Sequence, residues 1–438
     1  MNLLAPHLLG LVPAPQADLP VVLDHRERAA LEGRLLQERL DEVVPMLMRR
    51  EGIDMWILIA REYNEDPVLE TMLPPTWMAA RRRTMLVFFD PGGEAAVERF
   101  AVSRYAVGEH FESAWNKEEQ PDQWARLAEL VRERDPQRIA VNVSETFALA
   151  DGLSHAEHGA LRTALGELLA GRLVSGELLS IGWLETRTPG EMELYPTLGR
   201  IAHEIIAEGL SDRAVQPGHT TTADLEWWYR EAITDARLET WFHPSVSLQR
   251  AETGGHSGTF ASEEGSRTIH RGDLVHVDFG ITYLGLNTDT QQHAYVLREG
   301  ESEPPAGLVA GLRAGNRLQE ILNSHFAVGR SGNEVLARSR EQAEAEGLVP
   351  SIYTHPLGMH GHGAGATIGL WDQQGGVPGR GDYPVQADTV WSIELNVTVA
   401  IPEWDGQEIR VMLEEDAFFD GEAVSWIDGR QEELFLIR

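Results

Sequence analysis

Three apolar, strand-like runs in this chain carry acidic side chains: Leu274-Val275-His276-Val277-Asp278-Phe279, Trp391-Ser392-Ile393-Glu394-Leu395, and Val411-Met412-Leu413 followed by Glu414-Glu415-Asp416. An ionised carboxylate on a buried strand face needs a partner. Either these faces meet water, or the strands converge on a shared cation, and that choice constrains the fold more than any other feature. The segment from Asp273 to Val296 reads as a β-hairpin turning near Gly285. Pairing about a centre between Tyr283 and Leu284 would set Asp278 opposite Asp289, with Cβ atoms about 5 Å apart on one face. Like charges so close cost energy unless a cation lies between them. A solvated hairpin face is the bland alternative for the pair taken alone.

Further along, His355-Pro356-Leu357-Gly358-Met359-His360-Gly361-His362 crowds three of the 16 histidines into a glycine-rich, irregular stretch. Neutral imidazole is a common metal ligand, although a surface loop also accommodates such a cluster. The chain has no cysteine, which excludes disulfides, thiolate zinc sites, iron–sulfur clusters and cysteine nucleophiles together. Any metal must be held by Asp, Glu and His. The formal net charge of −32 repels nucleic-acid phosphates and anionic membranes, so neither is expected as a partner. Residues Met1 to Ala17 lack Lys and Arg and are interrupted by Pro6, His7, Gly10 and Pro13, a poor signal peptide. With no apolar run of about 18 residues, a cytoplasmic protein is expected.

At 438 residues the chain exceeds what one hydrophobic core usually serves. Apolar residues at helical spacing from Leu23 to Arg50 predict a helix stopped by Gly52, with Pro45 kinking or interrupting its last turns. A strand at Met55–Ile59, a hairpin from Met85 to Val102 through Asp90-Pro91-Gly92-Gly93, and a strand at Ile139–Val143 complete an α/β pattern without evident chemistry. The basic run Arg81-Arg82-Arg83 reads as a solvated face. The polar Glu185-Thr186-Arg187-Thr188-Pro189 precedes a helix at 191–210 and places a boundary between domains 1–185 and 186–438. Thr221 and Asp224 form a capping box, and helices follow at 306–325 and 333–346.

The order Asp278, Asp289, His355, Glu394, Glu414 resembles the five-ligand series of the pita-bread metallopeptidases, the superfamily of methionine aminopeptidase, aminopeptidase P, prolidase and creatinase. Val277-Asp278-Phe279-Gly280 matches the first ligand motif, with Asp289 at the spacing of eleven. His355-Pro356-Leu357-Gly358 matches the histidine motif with a second active-site histidine, His362, seven residues on. Ile393-Glu394 and Leu413-Glu414-Glu415-Asp416 match the two glutamate motifs. The resemblance implies an α+β chain, with a creatinase-like N-terminal α/β domain followed by a pita-bread catalytic domain. Three departures stand out. Thr288-Asp289-Thr290-Gln291-Gln292 lacks an arginine that relatives often carry; the glycine-rich loop runs on to Trp371; and His243, His256 and His270 compete for an upstream catalytic position that His256 fits best by spacing. His276 and His293 share the ligand face but match no ligand position.

By that resemblance the protein is a dinuclear-metal exopeptidase, an Xaa-Pro aminopeptidase or dipeptidase, hydrolysing the N-terminal peptide bond with a metal-bridging hydroxide. Asp278 would chelate one ion, His355 and Glu394 the other, while Asp289 and Glu414 bridge. Glu394 would shuttle a proton, and His362 and His256 would hydrogen-bond the substrate. Oxygen-rich coordination suits Mn²⁺ first, with Co²⁺, Zn²⁺ or Fe²⁺ as alternatives. Trp371 is a candidate wall for a prolyl ring. The implied partners are a small peptide substrate and a second copy of the chain in a homodimer. The alternatives are a non-prolyl aminopeptidase, a creatinase-like amidinohydrolase, or a metal-free peptide-binding module on the same fold.

Overall fold

The computed structural model describes residues 19–251 and 266–438, so the expected catalytic His256 lies outside the described residues. In the strand Met55–Arg61, Trp56, Leu58 and Ala60 join one apolar cluster and Met55, Ile57 and Ile59 another, as a two-residue repeat requires. A strand buried on both faces belongs inside a covered sheet. Here the sheet has six strands, in the order Glu112–Ser113, Glu98–Val102, Arg83–Phe89, Met55–Arg61, Ile139–Val141, Leu173–Ser175. The helix His25–Glu51 covers the Trp56 face with Leu36, Leu40, Val43, Val44 and Leu47. The helices Gln123–Arg134 and His155–Ala170 cover the other with Leu127, Val131, Leu161 and Leu165.

The first helix is held at both ends, by an Asp24/Glu27 capping box and by Gly52 at φ 61°. It runs without interruption through Pro45, contrary to the expected break. Asp41, whose carbonyl loses its donor to the proline ring, is exposed, so that carbonyl is open to solvent.

The second half repeats one packing idea twice. Val275, Val277 and Phe279 point outward onto the helices Pro189–Gly209 and Thr222–Asp235. The helices Ala306–Ser324 and Gly332–Ala345 cover the strands Leu395–Ile401 and Gln407–Leu413 in the same way. Three sheets lie inside these helix pairs. Their strand orders are Phe435–Ile437, Thr290–Val296, Leu274–Phe279, Ser245–Gln249; then Pro350–Ile352, Leu395–Ile401, Gln407–Leu413; and His355–Leu357, Thr389–Ser392, Asp416–Phe419, Val424–Trp426. Among the described residues no helix is long and apolar enough to cross a membrane.

A buried ionic hub joins the first helix to the second half. Arg39 donates from Nη1 to Glu191 Oε2 at 2.9 Å and to the Thr186 carbonyl at 2.7 Å, and its guanidinium lies 4.4 Å from the Trp183 ring centre. Arg187 reaches the same carboxylate at 3.4 Å. Breaking a buried pair from one side leaves an uncompensated charge, which typically costs about 3–5 kcal/mol. Arg39→Met is therefore expected to lower unfolding free energy by that order in chemical denaturation. A loss under about 1 kcal/mol would mean that Arg187 alone satisfies Glu191.

Candidate metal centre

Strands Thr389–Ser392 and Leu395–Ile401 belong to different sheets and are separated only by Ile393 and Glu394. Gln407–Leu413 and Asp416–Phe419 likewise change sheets across Glu414 and Glu415. The backbone at these crossings stays paired: Ile393 N donates to Glu415 O at 3.0 Å and Gln291 N to Glu414 O at 3.0 Å. A ladder that breaks without losing its hydrogen bonds re-aims the side chains at the break. Glu394 and Glu414 thereby turn toward the seam where the sheets meet, and His355 enters it as the first residue of its own strand. The sequence pattern had set Glu394 inside a strand; it lies in the two-residue gap between two.

The hairpin carrying the two aspartates is shifted from its expected register. Leu284 and Gly285 both have positive φ, 56° and 72°, the backbone of a two-residue type I′ turn, and Tyr283 pairs with Leu286. The centre thus falls between Leu284 and Gly285, which puts Gln291, not Asp289, opposite Asp278. Asp289 lies just outside the ladder, its N–H donating to Asp416 Oδ1 at 3.1 Å. That departure still leaves its carboxylate in the seam.

The five expected ligands come together. Donor atoms of Asp278, Asp289 and Glu414 lie within 4.8 Å of one another, as do those of His355, Glu394 and Glu414, and of Asp289, His355 and His362. Asp289, His355 and Glu414 each belong to two of these groups. The His355 imidazole donates through Nδ1 to the Pro356 carbonyl at 3.0 Å, which leaves Nε2 as a bare acceptor. That nitrogen faces Asp289, Glu414 and Glu394 at 3.6, 3.7 and 3.9 Å, too far for hydrogen bonds. Two donors bound to one ion at about 2.1 Å each stand roughly 3–4 Å apart, so these gaps fit a cation. Asp278 Oδ1, Asp289 Oδ1 and His355 Nε2 are buried with no hydrogen-bond partner among the described residues.

Other neighbours were not singled out by the sequence. The Gln291 amide donates to Glu394 at 2.6 Å and Glu414 at 2.7 Å, and Ser392 hydrogen-bonds Glu414. Gln292, in place of the missing arginine, turns to the opposite face and donates to Glu415 at 2.9 Å. Its departure therefore bears on the support of Glu415, which also accepts from His203 at 2.7 Å. His362 is exposed, with its ring 4.9 Å from His355 and 5.0 Å from Trp241. The Trp241 indole donates to the Thr288 carbonyl at 3.1 Å and sits so close to Gly361 that a Cβ there would approach it to 2.1 Å. Trp371, the candidate wall, lies 49% exposed in a turn that pairs Leu370 with Gln373, and the tryptophan beside His362 is Trp241. His276 and His293 face each other across the ladder, buried behind the donor set.

Residues 197–419, just over half of the chain, match the profile of metallopeptidase family M24. The chain belongs to this family. Among solved structures, the fold is similar to that of an X-Pro aminopeptidase from Thermotoga maritima MSB8, at 16% identity and TM-score 0.61 over 89% of this chain and 99% of that one. It is also similar to an Xaa-Pro dipeptidase from Bacillus anthracis, at 17% identity and TM-score 0.56 over 94% and 100%. A third similar fold is the dipeptidase PepE from Mycobacterium ulcerans, at 17% identity and TM-score 0.57 over 95% and 99%. A comparison with curated proteins returned no match. The M24 chain is thus a peptidase of α+β architecture whose family uses divalent metal.

Electrostatics in this M24 peptidase agree with that chemistry. Burial raises the Asp278 carboxyl to about 7, while burial and then mutual repulsion raise Asp289, Glu394 and Glu414 well above the usual carboxylate range. Groups with raised folded-state values favour the folded chain when protonated and oppose it when ionised. In the chelated protein the contribution of this cluster to stability is therefore expected to be fully present below about pH 4, the ordinary carboxylate range, and to be lost as pH rises through about 7. Added divalent ion should abolish that decline, because it stabilises the ionised cluster. Thermal melts at several pH values, with and without chelator, check both; parallel curves would count against cation binding here.

Proposed function

We propose that the chain is a dinuclear-metal exopeptidase that releases the N-terminal residue of Xaa-Pro peptides or splits Xaa-Pro dipeptides. The observation that carries this reading is the convergence of four carboxylates and one oriented imidazole with unpartnered inward atoms. Of the three residues that belong to two groups, His355 has one free ring nitrogen whereas Asp289 and Glu414 each offer two oxygens, so the two carboxylates would be the ligands shared between ions, with Asp278 serving one and His355 with Glu394 the other. Two such ions, Mn²⁺ by preference, would supply a water acidic enough to be a nucleophile at neutral pH.

The remaining roles fall to the chain. Glu394, at the rim of the donor set with its side chain 14% exposed, takes the proton from the attacking water and passes it to the leaving nitrogen. His362 faces the open side and hydrogen-bonds the scissile carbonyl as charge develops there. An Xaa-Pro bond has no amide hydrogen, and its ring needs a shaped apolar wall. Trp241 and Phe242, with ring centres 4.4 Å apart beside His362, suit that purpose. The printed activities of the similar structures, on X-Pro and Xaa-Pro substrates, support the same class. We further propose division into domains 1–185 and 186–438, and a homodimer in solution.

A panel of Xaa-Pro and non-prolyl peptides, assayed on metal-loaded protein, tests the reading. Preference for the prolyl members is expected, and no hydrolysis of any would overturn it. Trp241→Ala should lower kcat/KM for prolyl substrates at least tenfold while metal content stays at the wild-type level; an unchanged value would remove Trp241 from the substrate pocket. His355→Ala should lower metal occupancy, whereas His362→Ala should keep it and lower kcat by about 10²–10³-fold, as loss of an oxyanion donor does. Elemental analysis of the two variants decides: metal lost from His362→Ala and kept by His355→Ala would reverse the assignment.

A further inference from the structure

Thr290–Val296 is buried along its whole length although it reads Thr-Gln-Gln-His-Ala-Tyr-Val. A buried polar strand is stable only where each polar group has a partner, so the partners of Gln291 are informative. Its Nε2 lies 2.6 Å from Glu394 Oε1 and 2.7 Å from Glu414 Oε2. Ionised carboxylates only accept, which forces the amide nitrogen toward them and the amide oxygen away. That oxygen lies 2.9 Å from His276 Nε2, and His276 Nδ1 lies 3.3 Å from Ser247 Oγ. His276 must donate from Nε2 to the amide, which leaves Nδ1 to the serine hydroxyl. One chain of contacts, Ser247 to His276 to Gln291, thus ends on two separate glutamates of the donor set.

The three residues stand on adjacent strands of one sheet, with Ser247 paired to His276 and Gln291 paired to Asp278. The glutamates come from the other side of the seam, in the two gaps where strands change sheets. The backbone of each gap residue is held, Glu414 by a bridge to Gln291 and Glu394 by Tyr353 and Thr354, but their side chains project from the break and are not set by a regular ladder. A single amide bonds both carboxylates and so ties the two side chains to each other across the seam, while leaving each its remaining lone pairs.

We propose that Gln291 is a positioning residue, oriented by His276 and Ser247, that couples Glu394 to Glu414 and so sets the affinity of the site for both of its ions together. This rests on the dinuclear reading above. Loss of such an outer contact typically lowers metal affinity about 10–100-fold. Because Gln291 touches ligands of both proposed ions, its loss should weaken both binding steps, unlike removal of a contact to a single ligand.

The test is calorimetric titration of Mn²⁺ into chelated full-length protein, with wild type, Gln291→Met, His276→Phe and the double variant compared. Methionine keeps the side-chain length and removes the donors. Circular dichroism and the melting temperature of the chelated forms establish folding independently. Gln291→Met is expected to weaken both steps by about 10–100-fold. His276→Phe should weaken them less, and should add nothing in the Gln291→Met background, because it acts only through the amide. Both steps retained within about twofold in Gln291→Met would overturn the proposal. If that variant does not fold, an unchanged affinity in His276→Phe overturns it. Equal losses from His276→Phe in both backgrounds would break the relay. A wild-type protein that binds no Mn²⁺ fails at the proposed function itself and takes this inference with it.

Discussion

Repulsion among carboxylates in a dry seam is the constraint around which the second half of the molecule is arranged. Two unit charges about 4 Å apart at an effective dielectric near 20 repel by about 4 kcal/mol. Four such groups would open the seam unless something holds it from outside and a cation holds it from within. The outside hold is apolar: two helix pairs press Val277, Phe279, Val397 and Val411 inward and leave the opposite strand faces for polar residues. The inside hold is left to hydrogen bonds from Ser392, Gln291 and the Asp289 backbone, and to the metal that the family uses. Stability and chemistry are thereby linked in the same five side chains.

Much of this was legible before any coordinates. Acidic residues in apolar strands pointed to strands that converge, and motif order named Asp278, Asp289, His355, Glu394 and Glu414, whose side chains do meet in space. What escaped depends on contacts distant in sequence. The hairpin register turned on which two residues adopt positive φ, and a leucine at 284 does not advertise that. Trp241 stands 121 positions before His362, so only the folded chain reveals their contact. Gln291 did leave a trace, since a polar run with β-strand neighbours must find buried partners. The missing arginine was legible at Gln292, but the hydrogen bond of its amide to Glu415 was not. An interruption at Pro45 was one of two readings of that proline and did not occur, the residue whose carbonyl loses its donor being exposed.

The N-terminal half is more than an attachment. The largest apolar cluster contains Leu36, Trp56 and Phe88 from one half together with Leu312, Trp391 and Leu413 from the other. The Arg39–Glu191–Arg187 hub lies on the same boundary, and Arg187 packs under Gly358, where a Cβ would meet its guanidinium at 3.0 Å. Gly358 is three residues from His355. The hub that joins the halves thus lies in contact with the segment that follows the imidazole, through the single side chain of Arg187.

The long strands of the six-stranded sheet are all interior, while its margins are the two exposed residues Glu112–Ser113 and the three-residue strand Leu173–Ser175, half-buried except at Ser175. Margins this short expose few free backbone groups, and the glutamate adds charge, which leaves little template for another strand to extend the sheet. Copies of this chain can therefore meet through side-chain surfaces but not by merging these sheets. A crowded solution of the folded protein is guarded at this sheet against the edge-to-edge growth from which fibres begin.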